Sequence, residues 1–410
     1  MYAICCTNIH IQEYRVIIKM AAFRARLKEF DELFEQDELD LKKVRRMSFY
    51  GCPDAGGIRA KCWKLLLNYL PSSKKEWPTV LEKQRTLYKH FIDEMIVQPG
   101  SNYDSTNTEA IVDHPLNPNP DSQWVAYFKD NEMLMQIDKD CRRLCPDLSF
   151  FQQPTEYPCP ELMCSAGGFE NLRTRVEHSV LKSETVSRSR FGITNMIPKK
   201  KRSNTDEYAT LPEGQEAHWE VCERILFIYA KLNPGQGYVQ GMNEIVGPIY
   251  YVFSTDTNLE WREHAEADCF FCFTSLMSEI RDNFIKSLDD SEHGIGSLMN
   301  RLMETVKAKD VRLHCRILEQ NLRPEFYAFR WLTLLLSQEF PLPDVLRLWD
   351  SLFADEDRYE LLVCICCAML ILVRTQLLDS DFPAMMKLVQ TYPVSDIQKV
   401  ISKAAEIAGR

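Results

Sequence analysis

The sequence predicts an all-α protein, and three observations predict it. From Glu216 to about Thr375 the chain is densely apolar, in blocks such as Trp219-Glu220-Val221-Cys222-Glu223-Arg224-Ile225-Leu226-Phe227 that read as core helices. No stretch sustains the period-two alternation of a half-buried strand, and no repeat period is evident. With 15 glycines and 20 prolines in 410 residues, the chain has too few of either to be fibrous or broadly disordered.

The elements follow in order. Residues 1–19 start weakly apolar but have no basic opening and no continuous apolar core, so they do not read as a signal peptide. Met20 opens a stretch that reads as a natural start, which makes 1–19 an expected alternative-start extension. An N-terminal helix is expected over 20–44, with Phe23, Leu27, Phe30 and Phe34 at three- and four-residue intervals. Gly51-Cys52-Pro53 breaks the chain, and a compact helix follows from Ile58 to Tyr69, closed by Pro71. Another helix is expected from about Trp77 to Met95.

Pro99 to Asp121 is expected to be loop, because the prolines of His114-Pro115-Leu116-Asn117-Pro118-Asn119-Pro120 lack backbone donors and restrain the residues before them. Asp121-Ser122 then starts a helix through Leu144, stopped by Pro146. About 152–215 reads as an insert between two core helices, its second half an exposed loop. The basic cluster Lys199-Lys200-Lys201-Arg202 in it is a solvated loop, a localisation signal or a contact for acidic lipid. The apolar run Leu361–Val373, bounded by Glu360 and Arg374, falls short of the roughly 20 residues a bilayer needs and reads as a buried helix. Residues 379–410 are expected to form C-terminal helices.

Composition narrows the function classes. A formal net charge of −10 argues against general nucleic-acid binding, which needs a basic face. The 15 cysteines are odd in number and scattered through apolar runs, as suits reduced, buried thiols in the cytosol. Cys269-x-x-Cys272 and Cys364-x-x-Cys367 lack a second ligand pair, so no metal site is expected. No G-x-x-x-x-G-K-[ST] occurs, and Gly235-x-Gly237 with Gly241 follows no strand, so the chain is not expected to bind a nucleotide itself.

Two polar segments stand out. In Ile137-Asp138-Lys139-Asp140-Cys141-Arg142-Arg143, a helix would anchor through Leu134, Ile137, Cys141 and Leu144 and present Arg143 on nearly the opposite side. Asp140 is three residues before Arg143 and within reach of its guanidinium. Taken alone, that is also the pattern of an ordinary surface salt bridge. In Tyr238-Val239-Gln240-Gly241-Met242-Asn243, a carboxamide beside a helix start can donate and accept together, and so can orient a water. A turn holding a buried polar residue has the same pattern.

Their co-occurrence carries more. The two segments, with Gly51-Cys52-Pro53 leading to Arg59 and Trp63, Asp113-His114-Pro115, His218-Trp219 and Leu346-Arg347-Leu348-Trp349-Asp350, resemble in this order the TBC domain. That is the helical domain that accelerates GTP hydrolysis on Rab-family GTPases. The resemblance spans about 45–378 and departs most between Cys145 and Glu216. Asn117-Pro118-Asn119-Pro120 and Glu216-Ala217-His218-Trp219 are not general to the family and, with the run Leu226 to Ile249, resemble one branch of it.

The resemblance implies a domain of two helical subdomains. It implies that Arg143 and Gln240 act as catalytic fingers supplied in trans to a GTP-bound Rab, with GTP and magnesium belonging to that partner. Asp140 would position Arg143, and Tyr238 would contact the switch region or brace the Gln240 loop. Asn243, Gly241 and Ile137 would support these segments, while Arg59, Trp63, Trp349 and Asp350 read as structural. The alternative is a non-catalytic Rab-binding adaptor with the same fold. A cytoplasmic protein, at membranes only peripherally through its Rab, is expected.

Overall fold

The computed structural model describes residues 20–96, 123–160, 172, 173, 175, 176, 211, 212, 214–284, 294–393 and 396–410. The expectations for 1–19, for Pro99–Asp121 and for Lys199–Arg202 lie outside the described residues. The fold is all-α, and among the described residues extended pairing is limited to two isolated bridges, Glu38 with Ser73 and Pro154 with Ala217.

The helices that frame the molecule are α1 (20–35), α2 (Leu41–Phe49), α3 (Ile58–Leu66), α4 (Trp77–Met95), α5 (Gln123–Cys141) and α6 (His218–Leu232). They continue with α7 (Met242–Ser254), α8 (Ala265–Ile280), α9 (Ile295–Lys309), α10 (Leu342–Ala354), α11 (Arg358–Leu372) and α12 (Ile397–Ala408). The single helix expected over 20–44 is two. The chain leaves helix after residue 35, and Asp40 caps a new one, its carboxylate accepting from the Lys42 and Lys43 amides at 2.9 and 3.3 Å. An aspartate at that position satisfies amides that a helix start leaves without partners. The α3 helix stops at Leu66, three residues short of the expectation, and Asn68 reverses the chain at φ 58.

Two compact units are distinguishable. The first takes residues up to 83, 252–262 and 275–410. Within it α11 is buried from Leu361 to Leu370, most of the apolar run, and packs on α12 and α9. Its polar centre is Asp350 of α10, fully buried. The carboxylate accepts from Arg59 Nε (3.0 Å), Trp63 Nε1 (2.8 Å) and the Cys52 amide (2.8 Å). Trp63, Trp349 and Phe353 pack beside it in tilted and edge-to-face contacts, with ring centroids 5.0–6.0 Å apart. The first and last of the family-like motifs are therefore one buried clamp.

The second unit takes residues 84–251 and 263–274. Here α5 packs on α6. Arg224 of α6, 1% exposed, lies between Glu216 and Glu266, and Glu266 also accepts from the Tyr88 hydroxyl at 2.7 Å. A buried guanidinium persists only with such pairing and hydrogen bonding. The insert leaves and returns at adjacent points: the Thr155 amide donates to Glu216 O (2.8 Å) and the His218 amide to Gln153 O (3.1 Å). A closed base of this kind keeps a long insertion from disturbing the helices it joins.

His218, the first residue of α6, stacks on Phe150 (4.0 Å) and places Nδ1 2.8 Å from the Tyr250 hydroxyl. Burial pushes its pKa down to about 4, against the pull of Glu216. An unfolded chain takes up this proton near pH 6.5, so stability rises with pH from about 4 to 6.5 and is lost as pH falls through that window. The loss from this residue is on the order of 2–3 kcal/mol. His218→Gln should flatten the decline of the urea midpoint between pH 7 and pH 5. Identical slopes in the variant and the parent would refute the assignment.

Candidate functional site

The two polar segments of the sequence meet within the second unit. The α5 helix is anchored where expected: Leu134, Ile137, Cys141 and Leu144 are fully buried, and Arg143 is exposed. It ends at Cys141, however, and not at Leu144. The Arg143 and Leu144 amides bond back to Asp140 O (3.2 Å) and Cys141 O (3.1 Å), tightening the chain into a turn, and Cys145 follows at φ 44. Arg143 thus stands on a helix-terminating turn.

Its Nε donates to the Lys139 carbonyl at 3.0 Å. That carbonyl lies in the last turn of α5, where the helix dipole is negative and attracts a cation. Among the described residues neither Nη group has a partner, so the face of the guanidinium that engages an anion bidentately is open.

The expected pairing of Asp140 with Arg143 is not what the structure contains. Asp140 Oδ2 instead accepts from the Tyr238 hydroxyl at 2.8 Å. The i,i+3 geometry that brings side chains together holds inside a helix, and Arg143 is already beyond its end. Asn243 completes the link: its Nδ2 donates to the Asp140 carbonyl (3.3 Å) and to Glu244 Oε1 (3.0 Å). Burial, with Cys141 and the Asp140 carboxylate nearby, pushes the Tyr238 phenol well up, so it remains a donor. Tyr238 and Asn243 are buried and brace the loop.

Gln240 crowns that loop. Val239 to Met242 form a four-residue turn closed by the Met242 amide on Val239 O at 3.1 Å. Gly241 holds its third position at φ 104, in the left-handed region where a side chain would be strained. Gln240 is exposed, and its carboxamide has no partner among the described residues. The two side chains with free polar groups are therefore carried by turns joined through Asp140, Tyr238 and Asn243.

Two supports were not anticipated from the sequence. Arg142 forms a bidentate pair with Asp138 (2.9 Å to each oxygen) and lies over Trp219 at 4.5 Å, fixing the turn from its inner side. The i,i+4 spacing of Asp138 and Arg142 was the available signal. Beside them Glu223 is 1% exposed, and burial followed by the Asp138 charge pushes its pKa well up. Leu144 packs against Gly247 of α7, where an added Cβ would lie 2.9 Å from Leu144 Cδ1. Gly247→Val should therefore destabilise the protein by about 1–3 kcal/mol in urea titrations. A neutral effect would mean that the Arg143 turn is not clamped there.

Arg59 belongs to none of this. It is buried in the first unit, on Asp350, within the clamp described above. Among the described residues no group of three or more His, Cys, Asp and Glu side chains is arranged to hold a metal ion. Cys269, Cys272, Cys366 and Cys367 are buried, and burial raises the pKa of Cys269 and of Cys366, so these remain thiols.

Comparison with known proteins decides the family. A sequence profile described as the Rab-GTPase-TBC domain matches residues 201–378. The chain is 57% identical over 391 residues to human (Homo sapiens) TBC1 domain family member 13, covering 94% of this chain and 98% of that protein. The chain belongs to the TBC domain family. It is 35% identical to a TBC domain-containing protein of Schizosaccharomyces pombe, covering 94% of this chain and 73% of that protein. The crystal structure of the Ypt/Rab-GAP domain of Gyp1p shares the fold at a TM-score of 0.64 and 22% identity, covering 94% of this chain and 97% of that one.

The branch to which the segments outside the general TBC pattern pointed is that of member 13, and the identity bears this out. Within the TBC fold the arginine and glutamine turns belong to one unit. The Arg59, Trp63 and Asp350 clamp belongs to the other. No helix among the described residues is long and apolar enough to cross a membrane.

Proposed function

We propose that the protein is a GTPase-activating protein for Rab-family GTPases, acting by supplying Arg143 and Gln240 to the nucleotide site of a GTP-bound Rab. The observation that carries the reading is the linkage of two turns, each presenting one exposed polar side chain, through the Tyr238–Asp140 hydrogen bond of 2.8 Å. Membership of the TBC family supports it.

The chemistry follows from what each side chain can do. GTP hydrolysis is slow where charge on the transferring phosphoryl group is poorly stabilised and the attacking water is loosely held. Arg143 exchanges its single bond to the Lys139 carbonyl for phosphate oxygens, which its fork-shaped guanidinium meets bidentately. Gln240 accepts from the attacking water through its carbonyl oxygen while its amide donates to a neighbouring backbone group, fixing the lone pair toward phosphorus. Asp140, Tyr238 and Asn243 hold both turns before the partner arrives, so little side-chain entropy is lost in the encounter. GTP and magnesium belong to the Rab, and the chain needs no cofactor of its own. It works in the cytoplasm, reaching membranes peripherally through the Rab.

The test is single-turnover GTP hydrolysis on a panel of purified Rabs. At least one should be accelerated at catalytic amounts of this protein. Capture of GTP-loaded Rab without acceleration of any would leave an adaptor in place of an activator.

A further inference from the structure

The first unit contains an open pocket, rich in cationic side chains, that plays no part in the proposed reaction. It has a volume of about 990 Å³ and is walled by α2, the C-terminal end of α10 and α12. That is the size of a small-molecule site. Its basic residues are Lys42, Arg45, Arg46, Arg347 and Arg410, and its acidic ones are Asp355, Glu356 and Glu406.

The charges do not cancel. Asp355 is paired with Arg410, and Glu406 with Lys403 at 2.8 Å. That leaves Lys42, Arg45, Arg46 and Arg347 facing Glu356. Arg347 holds the wall through Ser351 Oγ (2.8 Å) and Gln398 Oε1 (3.2 Å), and Arg45 through the last carbonyls of α10 at 3.3–3.4 Å. Burial lowers the pKa of both guanidinium groups, reinforced by Arg358 for Arg45 and opposed by the Asp350 charge for Arg347. Lys42 and Arg46, one turn apart on α2, are exposed, and neither side chain has a partner among the described residues. A chain of net charge −10 repels anions on average, so this local reversal is a feature of the cavity and not of the surface at large.

We infer that this cavity binds a polyol carrying two or more phosphates. Lys42 and Arg46 are the mobile cations that close on the phosphates, with Arg45 and Arg347 behind them. The remaining lining suits hydroxyl groups: Gln398 and Ser402 both donate and accept, and the Glu356 carboxylate, a repulsive neighbour for a bare phosphate, accepts from ring hydroxyls. The Tyr50 ring, 69% exposed at the rim, is available to cover a bound ring.

The probe is inositol 1,4,5-trisphosphate, titrated calorimetrically into the full chain, with inorganic phosphate as the control. Vesicles of phosphatidylcholine with and without phosphatidylinositol 4,5-bisphosphate supply the lipid form. Saturable binding of the free headgroup is expected, weakened about 10-fold or more in Lys42→Glu/Arg46→Glu. Both positions are exposed, so the thermal midpoint of that variant should match the parent. Retention on the bisphosphate vesicles, released by the free headgroup, would name a lipid as the source; binding of the free headgroup alone would name a soluble one. The proposal is overturned if nothing saturates, if inorganic phosphate competes at equal concentration, or if the double variant binds undiminished.

Discussion

Arg143→Ala is expected to lower the acceleration of GTP hydrolysis on a responsive Rab by about 10³–10⁵-fold, which is on the order of 4–7 kcal/mol of barrier. The size follows from what the guanidinium opposes, negative charge spread over phosphoryl oxygens in a site closed to water. Arg143→Lys should recover little, because a point charge does not reproduce a bidentate fork. Since Arg143 is exposed and makes one bond, to a backbone carbonyl of its own helix, stability should change by less than about 0.5 kcal/mol. Gln240→Ala, equally exposed, should cost about 10²–10³-fold. Single-turnover rates at saturating activator separate these losses from weaker binding. A variant of either residue that retained the full rate would remove its role.

Asp350→Ala is the substitution expected to damage the fold most. It leaves the Arg59 guanidinium, the Trp63 indole N–H and the Cys52 amide buried without their acceptor. Removing one partner of a buried ion pair costs about 3–5 kcal/mol, because the remaining charge is stranded. Asp54, at the surface, also meets Arg59, which places the expectation toward the lower end. Replacing both members, Arg59→Met with Asp350→Leu, should restore part of the loss, since the desolvated charge is then absent. Urea denaturation followed by helical circular dichroism measures both. A loss below about 1 kcal/mol for Asp350→Ala would mean that the clamp contributes little.

What could be read from the sequence, and what could not, divides along local and non-local interactions. Periodicity located α4 at Trp77–Met95 and identified the burial of α11, because helix length and an apolar face are properties of neighbouring residues. The burial of Ile137 and the exposure of Arg143 followed for the same reason. The restart at Asp40 was legible in principle as a capping aspartate, but the apolar spacing of the preceding residues masked it. The partner of Asp140 was not legible. Sequence spacing offers Arg143 three residues away, whereas the hydroxyl that bonds Asp140 comes from Tyr238, 98 residues on. Nor does spacing reveal that Leu144 needs a glycine at 247, which is a matter of two helices approaching closely.

The joint action of Arg143 and Gln240 is tested most directly by trapping the transition state. A responsive Rab loaded with GDP should form a stable complex with this protein only when aluminium fluoride occupies the place of the transferring phosphoryl group. Arg143→Ala and Gln240→Ala should each abolish that complex, while binding to Rab loaded with a non-hydrolysable GTP analogue persists. Equal capture with and without aluminium fluoride, or a trapped complex that survives both substitutions, would contradict the account.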